Sequence, residues 1–397
     1  MSGSTARAAH IVVVGAGIVG AACADALTEN GFHVTVVDTA GVGHGATAAG
    51  MGHIVAMDDS EAQFALTKYS RDIWNALADD LPRAAERVAC GTLWVAADDE
   101  EMQVVAQKCA FYRARGVRAE MLDSRQLAAV EPSLRPGLPG ALLIPDDSVV
   151  YPPPLAAWLL KRACARGAAL RIGIKVSRIS DVGVELADGG KIACDMALVA
   201  VGAQAKALLP EIQLRPRKGH LVITDRHPNF VRHQLVELGY LKSAHGSTGD
   251  SVAFNVQPRA TGQVLIGSSR QFDNNRAEVD HGMAQRMLAR AVSYMPGLAN
   301  LSAIRIWTGF RAATPDKLPL IGPHPTRPNV WLATGHEGLG ITTSMGTARL
   351  VADMLCGRVT EIPAAPYSPC RAGQIDARSA CATAPSALAA IGGAGHA

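Results

Sequence analysis

The chain has 397 residues, of which 48% are hydrophobic and 18% charged, enough apolar material for one large or two ordinary globular domains. The formal net charge is only +3, aromatic residues make up 5%, and no block of Lys and Arg stands out. This balance excludes a nucleic-acid binder as the leading class and favours small-molecule chemistry without a nucleic-acid partner.

The eight cysteines are scattered, without a CxxC pair or a Cys/His spacing suited to zinc, so we expect free thiols, a reducing compartment and no metal. The first ten residues contain one Arg and no cleavage-like site, which argues against a secretory signal. Residues 11–27 are mostly apolar but include Asp25 and three glycines, which argues against a membrane span. The sequence therefore predicts a cytoplasmic protein and leaves peripheral attachment to a membrane open.

The first element pattern is strand, glycine turn, helix and strand. HIVVV is a short apolar run, GIVGAACADALTEN has helical spacing and ends at Gly31, and FHVTVVD is a second β-branched run. Together these runs predict a compact βαβ unit at residues 10–38.

Gly15, Gly17 and Gly20 form a GxGxxG pattern at the junction of the predicted strand and helix. This context allows a tight turn, close approach of the backbone to a pyrophosphate, and a helix N-terminus facing the phosphates. Asp38 ends the second strand, eighteen residues after Gly20, where a carboxylate can accept hydrogen bonds from both ribose hydroxyls and disfavours NADP. The alternative is a glycine-rich turn that binds nothing.

The rest of the chain reads as alternating helical and β segments. Residues 39–54 are rich in glycine and small residues without periodicity, which is typical of a functional loop. The periodicity predicts helices over 60–81, 100–115, 124–130, 152–168, 280–295 and 341–357, short strands over 171–203, an antiparallel sheet over 215–267 and a strand at 330–335.

A second glycine-rich turn from strand to helix, ATGHEGLGITTS, covers residues 333–344. A second helix N-terminus stabilises negative charge on a bound group, and a reduced flavin develops such charge at N1 and the C2 carbonyl, whereas a nicotinamide does not. The turn favours FAD over NAD. A glycine-rich helix entry without a ligand, and hence a nicotinamide dehydrogenase, is the alternative.

The sequence resembles the FAD-dependent D-amino-acid oxidase and glycine oxidase superfamily, particularly its bacterial D-amino-acid dehydrogenase branch. The resemblance rests on VVVGAGIVG with Asp38, GHGATAAGMGHI, DDSVVYPPPLAAWLLKRACARGA, LVAVGAQA, RPRKGH, and GFRAATPDKLPLIGP followed by VWLATGHEGLGITTS. These stretches, in this order, cover nearly the whole chain up to about Gly357.

The resemblance implies an α+β fold with a Rossmann-like FAD-binding domain and an inserted antiparallel or mixed-sheet substrate domain. The expected FAD-binding domain is discontinuous and comprises residues 1–85, 145–214 and 305–362. The expected substrate domain comprises 86–144 and 215–304. Residues 363–397 are rich in Ala, Gly, Ser and Pro, and we expect a disordered tail there.

The resemblance also implies non-covalent FAD and a set of site residues. The cofactor-binding residues would be Gly15, Ala16, Gly17, Ile18, Val19, Gly20, Val37, Asp38, Thr39, Ala46, Thr47, Ala48, Gly50, Met51, Gly52, Val176, Ala200, Gly202, Gly338, Leu339, Gly340, Ile341 and Thr342. Arg311 matches the arginine that grips the substrate carboxylate, since a planar guanidinium can hold a carboxylate through two parallel hydrogen bonds. His53, Tyr240 and His336 are further candidates at the reacting centre, with ordinary structural packing as the alternative for each.

The implied reaction is oxidation of an amino acid, with the carboxylate on Arg311, hydride transfer from Cα to flavin N5, and no obligatory side-chain base. GMGHIVAMDDSEAQFALTKYSRDIWNAL and CGTLWVAADDEE look most like the catalytic FAD subunit of D-hydroxyproline dehydrogenases, which implies a small D-amino or imino acid such as 4-hydroxy-D-proline or D-proline. Electron-accepting partner subunits or a quinone are compatible acceptors. An oxygen-using glycine or sarcosine oxidase, or a flavin subunit of a larger complex without its own catalytic role, are the alternatives.

Overall fold

The computed structural model describes residues 8–239, 249–272, 274–371 and 373–375. The helices are α1 (Ile18–Glu29), α2 (Ala46–Ala49), α3 (Glu61–Ala76), α4 (Asp99–Ala114), α5 (Ser124–Val130), α6 (Pro152–Ala165), α7 (Ala205–Leu208), α8 (His281–Tyr294) and α9 (Gly340–Leu355). The strands are β1 (His10–Val14), β2 (His33–Asp38), β3 (His53–Ile54), β4 (Thr92–Ala96), β5 (Glu120–Asp123), β6 (Gly140–Ile144), β7 (Ser148–Val149), β8 (Ala169–Ile172), β9 (Val176–Ser180), β10 (Gly183–Leu186), β11 (Lys191–Ala193), β12 (Met196–Val199), β13 (Arg215–Arg226), β14 (Gln234–Glu237), β15 (Ser251–Pro258), β16 (Gln263–Arg270), β17 (Ala303–Ala313), β18 (Leu320–Pro323) and β19 (Val330–Thr334).

The first sheet has six strands in the order β18-β19-β12-β1-β2-β8, parallel except for the β18–β19 pair. Successive residues of β1 belong to two different cores because side chains alternate along a strand. Ile11 and Val13 pack with helices α1, α6 and α9, whereas Val12 and Val14 pack against the three-stranded sheet β11-β10-β9. Both faces are covered, which explains why residues 11–14 of this strand are apolar without exception.

The second sheet has eight strands in the order β17-β13-β16-β15-β14-β4-β6-β5, antiparallel except for the β14–β4 pair. One face, with Leu93, Phe254 and Val256, packs against Met287 and Ala291 of α8. The predicted α+β fold, a Rossmann-like unit combined with a mixed sheet, is confirmed.

Residues 39–54 are more regular than the sequence suggested, because they contain one helical turn, α2, and the short strand β3, which pairs with β7. The domain division remains a proposal. β17 pairs with β13 along its length, so we propose that residues 303–313 go with the eight-stranded sheet, although the sequence prediction assigned 305–362 to the cofactor domain. The two strands are far apart in the sequence, so the residues near 305 carry no local sequence signal for a domain boundary.

The predicted disordered tail is wrong for residues 363–371 and 373–375. Tyr367 is buried, and its hydroxyl donates a hydrogen bond of 2.6 Å to the carbonyl oxygen of Ala62. Gln374 accepts a bond of 2.7 Å from the backbone N–H of Gln213, and Ile375 forms a β-bridge with Ile212. The composition did not reveal that a single aromatic side chain anchors this segment. Residues 372 and 376–397 lie outside the described residues.

Across the described ranges, no helix combines the length and the apolar character that crossing a membrane requires.

Candidate functional site

The first glycine turn connects β1 to α1 through very close backbone contacts. Gly15 has φ +114°, and a Cβ there would lie 2.5 Å from the carbonyl oxygen of Ala200. A Cβ on Gly20 would overlap the carbonyl oxygen of Gly15, so only glycine lets α1 pack so tightly on the turn. Gly17 caps α1 with extended backbone, and no side chain caps the helix. The turn leaves the positive end of α1 available to an anion.

Asp38, at the end of β2, organises the loops around this turn. Its Oδ2 accepts a hydrogen bond of 2.7 Å from the backbone N–H of Ala16, and its Oδ1 accepts bonds of 2.8 and 3.0 Å from Ala40 and Gly41. The carbonyl oxygen of the neighbouring Val37 accepts a bond of 2.8 Å from Gly15. Asp38 therefore fixes the glycine turn, and its predicted bonds to ribose hydroxyls remain a prediction, as does the role of the exposed Thr39.

Residues 46–52 form the second wall of the site. The hydroxyl oxygen of Thr47 accepts a hydrogen bond of 3.0 Å from the N–H of Ile18 in the first turn of α1. A Cβ on Gly50 would lie 2.8 Å from Cδ1 of Ile341, and Gly52 has φ +96° and a Cβ there would overlap the carbonyl oxygen of Val150. The segment is thus held between the starts of α1 and α9.

The second glycine turn converges with the first. The hydroxyl of Thr342 donates a bond of 2.8 Å to the carbonyl oxygen of His53. A Cβ on Gly340 would lie 3.8 Å from Val19 in the first turn of α1. Strand β19 pairs with β12, which pairs with β1, so both helices leave the same edge of the sheet. Two helix N-termini therefore lie side by side, as the two separate turns predicted.

Three further predicted cofactor residues lie on or near strands β9 and β12. Val176 is buried in β9 within the core that covers the far face of the first sheet. The carbonyl oxygen of Ala200 lies against Gly15, and Gly202 has φ +55° with open space where a Cβ would lie. Tyr240 lies outside the described residues.

Arg311 lies at the junction of the two sheets. It is half-buried on β17, directly opposite Arg217 of β13, and its Nη1 donates a bond of 2.9 Å to the carbonyl oxygen of Ser269. A Cβ on Gly219 would lie 2.9 Å from Cζ of Arg311, and one on Gly338 would lie 3.4 Å from its Nε. The guanidinium is therefore packed between the eight-stranded sheet and the second glycine turn.

The model of the DAO family, described as FAD dependent oxidoreductase, matches residues 10–354 of this chain. The chain belongs to this family.

Named relatives extend the match across most of the chain. It is 29% identical to a glycine oxidase of Geobacillus kaustophilus over 373 residues, which cover 90% of this chain and 96% of the relative. It is 27% identical to a D-amino acid dehydrogenase of Xylella fastidiosa over 314 residues, which cover 75% of this chain and 68% of the relative.

Solved structures share the fold. The crystal structure of the glycine oxidase from Geobacillus kaustophilus matches with a TM-score of 0.80 and 27% identity, covering 91% of this chain and 98% of the other. The L-proline dehydrogenase from P. horikoshii matches with a TM-score of 0.82 and 22% identity, covering 91% of this chain and 97% of the other, and indicates the fold alone.

The residues present fit FAD, the cofactor of this family of oxidoreductases. The glycine turn at residues 15–20 keeps side chains away from the start of α1, which suits a diphosphate. The start of α9 beside it supplies a second positive helix end, which suits the electron-rich edge of a reduced flavin. The sequence prediction of FAD is confirmed, and the contacts of individual residues with it remain predictions.

The two candidate histidines differ in their surroundings. His336 is buried and its Nε2 lies 3.0 Å from the hydroxyl of Thr347 in α9, and burial lowers its pKa to about 3. Burial also lowers the pKa of His53 to about 4. The side chain of Gln257 raises this pKa and the positive charge of Arg311 lowers it further, but both effects are smaller than that of burial. His336 thus has a structural partner, while His53 lies near the carboxylate-binding candidate.

Sequence reasoning missed the residues that support Arg311. Gly219 and Ser269 belong to RPRKGH and GSSR, and neither stretch indicates which residue it will contact. Arg217 forms a buried ion pair with Glu337, which joins β13 to the second glycine turn. The only sequence signal for these contacts is that RPRKGH and GHEGLG both occur among the stretches that resemble the family.

Proposed function

We propose that the protein is an FAD-dependent enzyme that oxidises the Cα–N bond of a small D-amino or cyclic imino acid, with 4-hydroxy-D-proline or D-proline favoured. The observation that carries the proposal is the position of Arg311 against Gly338, where a carboxylate-binding group adjoins the second glycine turn. The named relatives, a glycine oxidase and a D-amino acid dehydrogenase, support an amino acid as substrate.

FAD would be held at its diphosphate by Gly15, Gly17 and Thr47 with the start of α1, and at its flavin by residues 50–52 and 338–342. When bound, FAD accepts the Cα hydrogen with its bonding electron pair. The chain itself has to bind the substrate, orient it and keep the reacting atoms away from water.

Arg311 is the residue that we assign to binding and orientation. Its planar guanidinium can take a carboxylate through two parallel N–H bonds, which fixes the direction of the neighbouring Cα–H. The hydrogen bond to Ser269 and the fit over Gly219 limit the rotation of the guanidinium. Orientation of this kind contributes much of the rate in reactions in which a cofactor carries the electronic change.

His53 supports the arrangement by staying uncharged. Because burial lowers its pKa to about 4, the ring is neutral at neutral pH and adds no second positive charge beside Arg311. A neutral substrate amine can form the C=N bond with its own lone pair, so the reaction needs no side-chain base, and the proton released on amine binding goes to solvent.

The finer assignment follows from the resemblance of the segments GMGHIVAMDDSEAQFALTKYSRDIWNAL and CGTLWVAADDEE to D-hydroxyproline dehydrogenases. In this proposal, partner subunits or a quinone take the electrons, and peripheral contact with a membrane surface would give access to a quinone. The glycine oxidase relatives favour a second candidate, an oxygen-using glycine oxidase. Reoxidation of the reduced protein in air separates the two, since an oxidase regains its flavin colour rapidly.

The test is an anaerobic panel of D-amino and D-imino acids with the FAD-loaded enzyme, followed by loss of flavin absorbance. Arg311→Met should lower the second-order rate constant of reduction by about 10²- to 10⁴-fold while the protein keeps FAD, because orientation is lost. Arg305→Met, an exposed arginine on the same strand, is the matched control and should react as wild type. Unchanged turnover of Arg311→Met would favour a flavin subunit without a catalytic role.

A further inference from the structure

The pairing of β13 with β16 is interrupted beside the carboxylate-binding candidate. Lys218 of β13 pairs with Gln271, just beyond the end of β16. Val222 pairs with Ile266, so the β16 side has one more residue than β13 between these two pairs. Such an extra residue is a β-bulge, which disrupts the ladder locally and is frequent next to active sites. The backbone groups in this interval therefore need partners outside the regular ladder.

Ser269 lies in this interval and uses its two oxygen atoms for different partners. Its hydroxyl oxygen accepts a hydrogen bond of 2.9 Å from the backbone N–H of His220 on β13. Its carbonyl oxygen accepts the bond of 2.9 Å from Nη1 of Arg311. Because the hydroxyl serves the neighbouring strand, the carbonyl oxygen is available to the guanidinium.

The ring of His220 holds the hydroxyl of Ser269 from a second side. Its Nδ1 lies 2.9 Å from the hydroxyl oxygen, and its Nε2 accepts a bond of 3.0 Å from the backbone N–H of Asp280, the residue that caps α8. Since a backbone N–H can only donate, the neutral ring carries its proton on Nδ1 and donates it to Ser269. Burial and the positive charge of Lys218 lower the pKa of His220, which favours this neutral form.

The side chains of His220 and Ser269 are both fully buried. Loss of the Ser269 hydroxyl would therefore leave two buried donors, the backbone N–H and the ring N–H of His220, without their acceptor. Buried donors of this kind carry an uncompensated desolvation cost. The strand would have to shift to satisfy them, and the carbonyl oxygen that holds Arg311 would shift with it.

We propose that His220 and the hydroxyl of Ser269 are positioning residues, which keep the carbonyl oxygen of Ser269 where it fixes the guanidinium of Arg311. The inference rests on the proposed function, in which Arg311 binds the substrate carboxylate, and extends it to two side chains that act through Arg311. Through Asp280, the same series of hydrogen bonds connects the start of α8 to the guanidinium.

The test is Ser269→Ala in the FAD-loaded enzyme, followed as anaerobic flavin reduction by 4-hydroxy-D-proline and by D-proline. We expect the second-order rate constant to fall by about 10- to 100-fold, because a displacement of about 1 Å has effects of that size, while the spectrum of the bound flavin is unchanged. Added to Arg311→Met, the same substitution should change the rate by less than about twofold, because the guanidinium that it positions is gone. A loss that multiplies in the double variant overturns the inference.

Thr224→Val is the matched control for Ser269→Ala. The hydroxyl oxygen of the buried Thr224 also accepts a backbone N–H across β13 and β16, at 3.0 Å from the nitrogen of Val264. Urea unfolding should show a similar loss of stability in the two variants, whereas Thr224→Val should reduce its flavin at the wild-type rate. If Thr224→Val is slowed as much as Ser269→Ala, the effect comes from a weakened sheet and the inference fails.

Two substitutions of His220 test the ring itself. His220→Leu removes both ring hydrogen bonds and should slow reduction as Ser269→Ala does. His220→Asn places an amide N–H near the position of Nδ1 and should keep at least about half of the wild-type rate. If His220→Asn is as slow as His220→Leu, the ring is not a positioning group. Should His220→Leu fail to fold, Ser269→Ala and its double variant decide.

The outcomes separate this inference from the proposed function. A wild-type rate in Ser269→Ala overturns the inference and leaves the proposed function standing, provided that Arg311→Met is slow. A wild-type rate in Arg311→Met, or a flavin that no D-amino or imino acid bleaches, means that the proposed function itself fails.

Discussion

Gly219 and Arg311 fit together across neighbouring strands, with the guanidinium lying where a side chain at residue 219 would begin. A Cβ on Gly219 would lie 2.9 Å from Cζ and would overlap Nη1 of Arg311. Strand β13 runs beside β17 with Gly219 opposite Gly309, and the guanidinium of Arg311 occupies the space that a side chain at residue 219 would need.

Gly219→Ala should therefore displace the guanidinium without removing it. A misplacement of about 1 Å costs up to about 100-fold in rate, so we expect the second-order rate constant of flavin reduction to fall by about 10- to 100-fold. The bound FAD spectrum and the thermal midpoint should stay close to wild type. A variant with full activity would show that Arg311 can bind substrate from another position.

The local parts of the fold were predictable from the sequence. The βαβ unit, its glycine turn and Asp38 depend on residues within thirty positions of one another, and the structure has the strands and the helix at the predicted places. The helix at residues 152–165 was marked by proline at its start. Such signals are strong because propensity and tertiary packing agree.

The support of Arg311 was not predictable in the same way. That Arg217 lies opposite Arg311, and Gly219 beneath its guanidinium, depends on the register of two strands separated by almost a hundred residues. Alternation of apolar residues identifies the face of a strand but does not identify its partner. The packed segment that contains Tyr367 was missed for a related reason, since the buried ring of Tyr367 holds in place a segment rich in Ala, Gly, Ser and Pro.

Gly20→Ala should abolish FAD binding. Its Cβ would overlap the carbonyl oxygen of Gly15, so α1 would have to move away from the turn that we propose as the diphosphate site. We expect purified Gly20→Ala protein to be colourless and to gain no flavin absorbance on addition of FAD. Gly282→Ala, in helix α8, is the control, because a Cβ there meets Asp280 at an ordinary 3.5 Å. A yellow Gly20→Ala protein would contradict the role of this turn.

Tyr367→Ala should destabilise the protein even though the residue follows the last long helix. Removing a buried aromatic side chain costs about 3–5 kcal/mol, and removing the hydroxyl alone in Tyr367→Phe costs about 1 kcal/mol. Urea unfolding measures both changes in the free energy of unfolding. Val359→Ala, at a position that is 98% exposed, should be neutral. Equal stability of Tyr367→Ala and wild type would mean that this segment does not pack in solution.

His336 should make the stability depend on acid pH. Burial lowers its pKa in the folded state to about 3, below the value of about 6.5 in an unfolded chain, so the unfolded state binds the proton first as pH falls. Above pH 6.5 the titration of His336 costs the folded state no stability. As pH falls from 6.5 towards 3, the free energy of unfolding decreases by up to about 1.4 kcal/mol per pH unit. His336→Gln keeps a polar group near Thr347 and cannot titrate, so its free energy of unfolding should fall less steeply with acid.

The difference between the two stability curves isolates His336 from other titrating groups. Both proteins contain His53, whose pKa is also lowered by burial. Both also contain Asp147, whose pKa burial raises to about 6, so that its titration changes the stability in the opposite direction. Urea unfolding between pH 8 and 4.5 should give a constant difference above pH 6.5 and a growing one below it. The exposed His281→Gln should run parallel to wild type throughout. A difference for His336→Gln that stays constant down to pH 4.5 would mean that the ring takes up its proton at the same pH in the folded and the unfolded state. The hydroxyl oxygen of Thr347 would then accept a hydrogen bond from the charged ring.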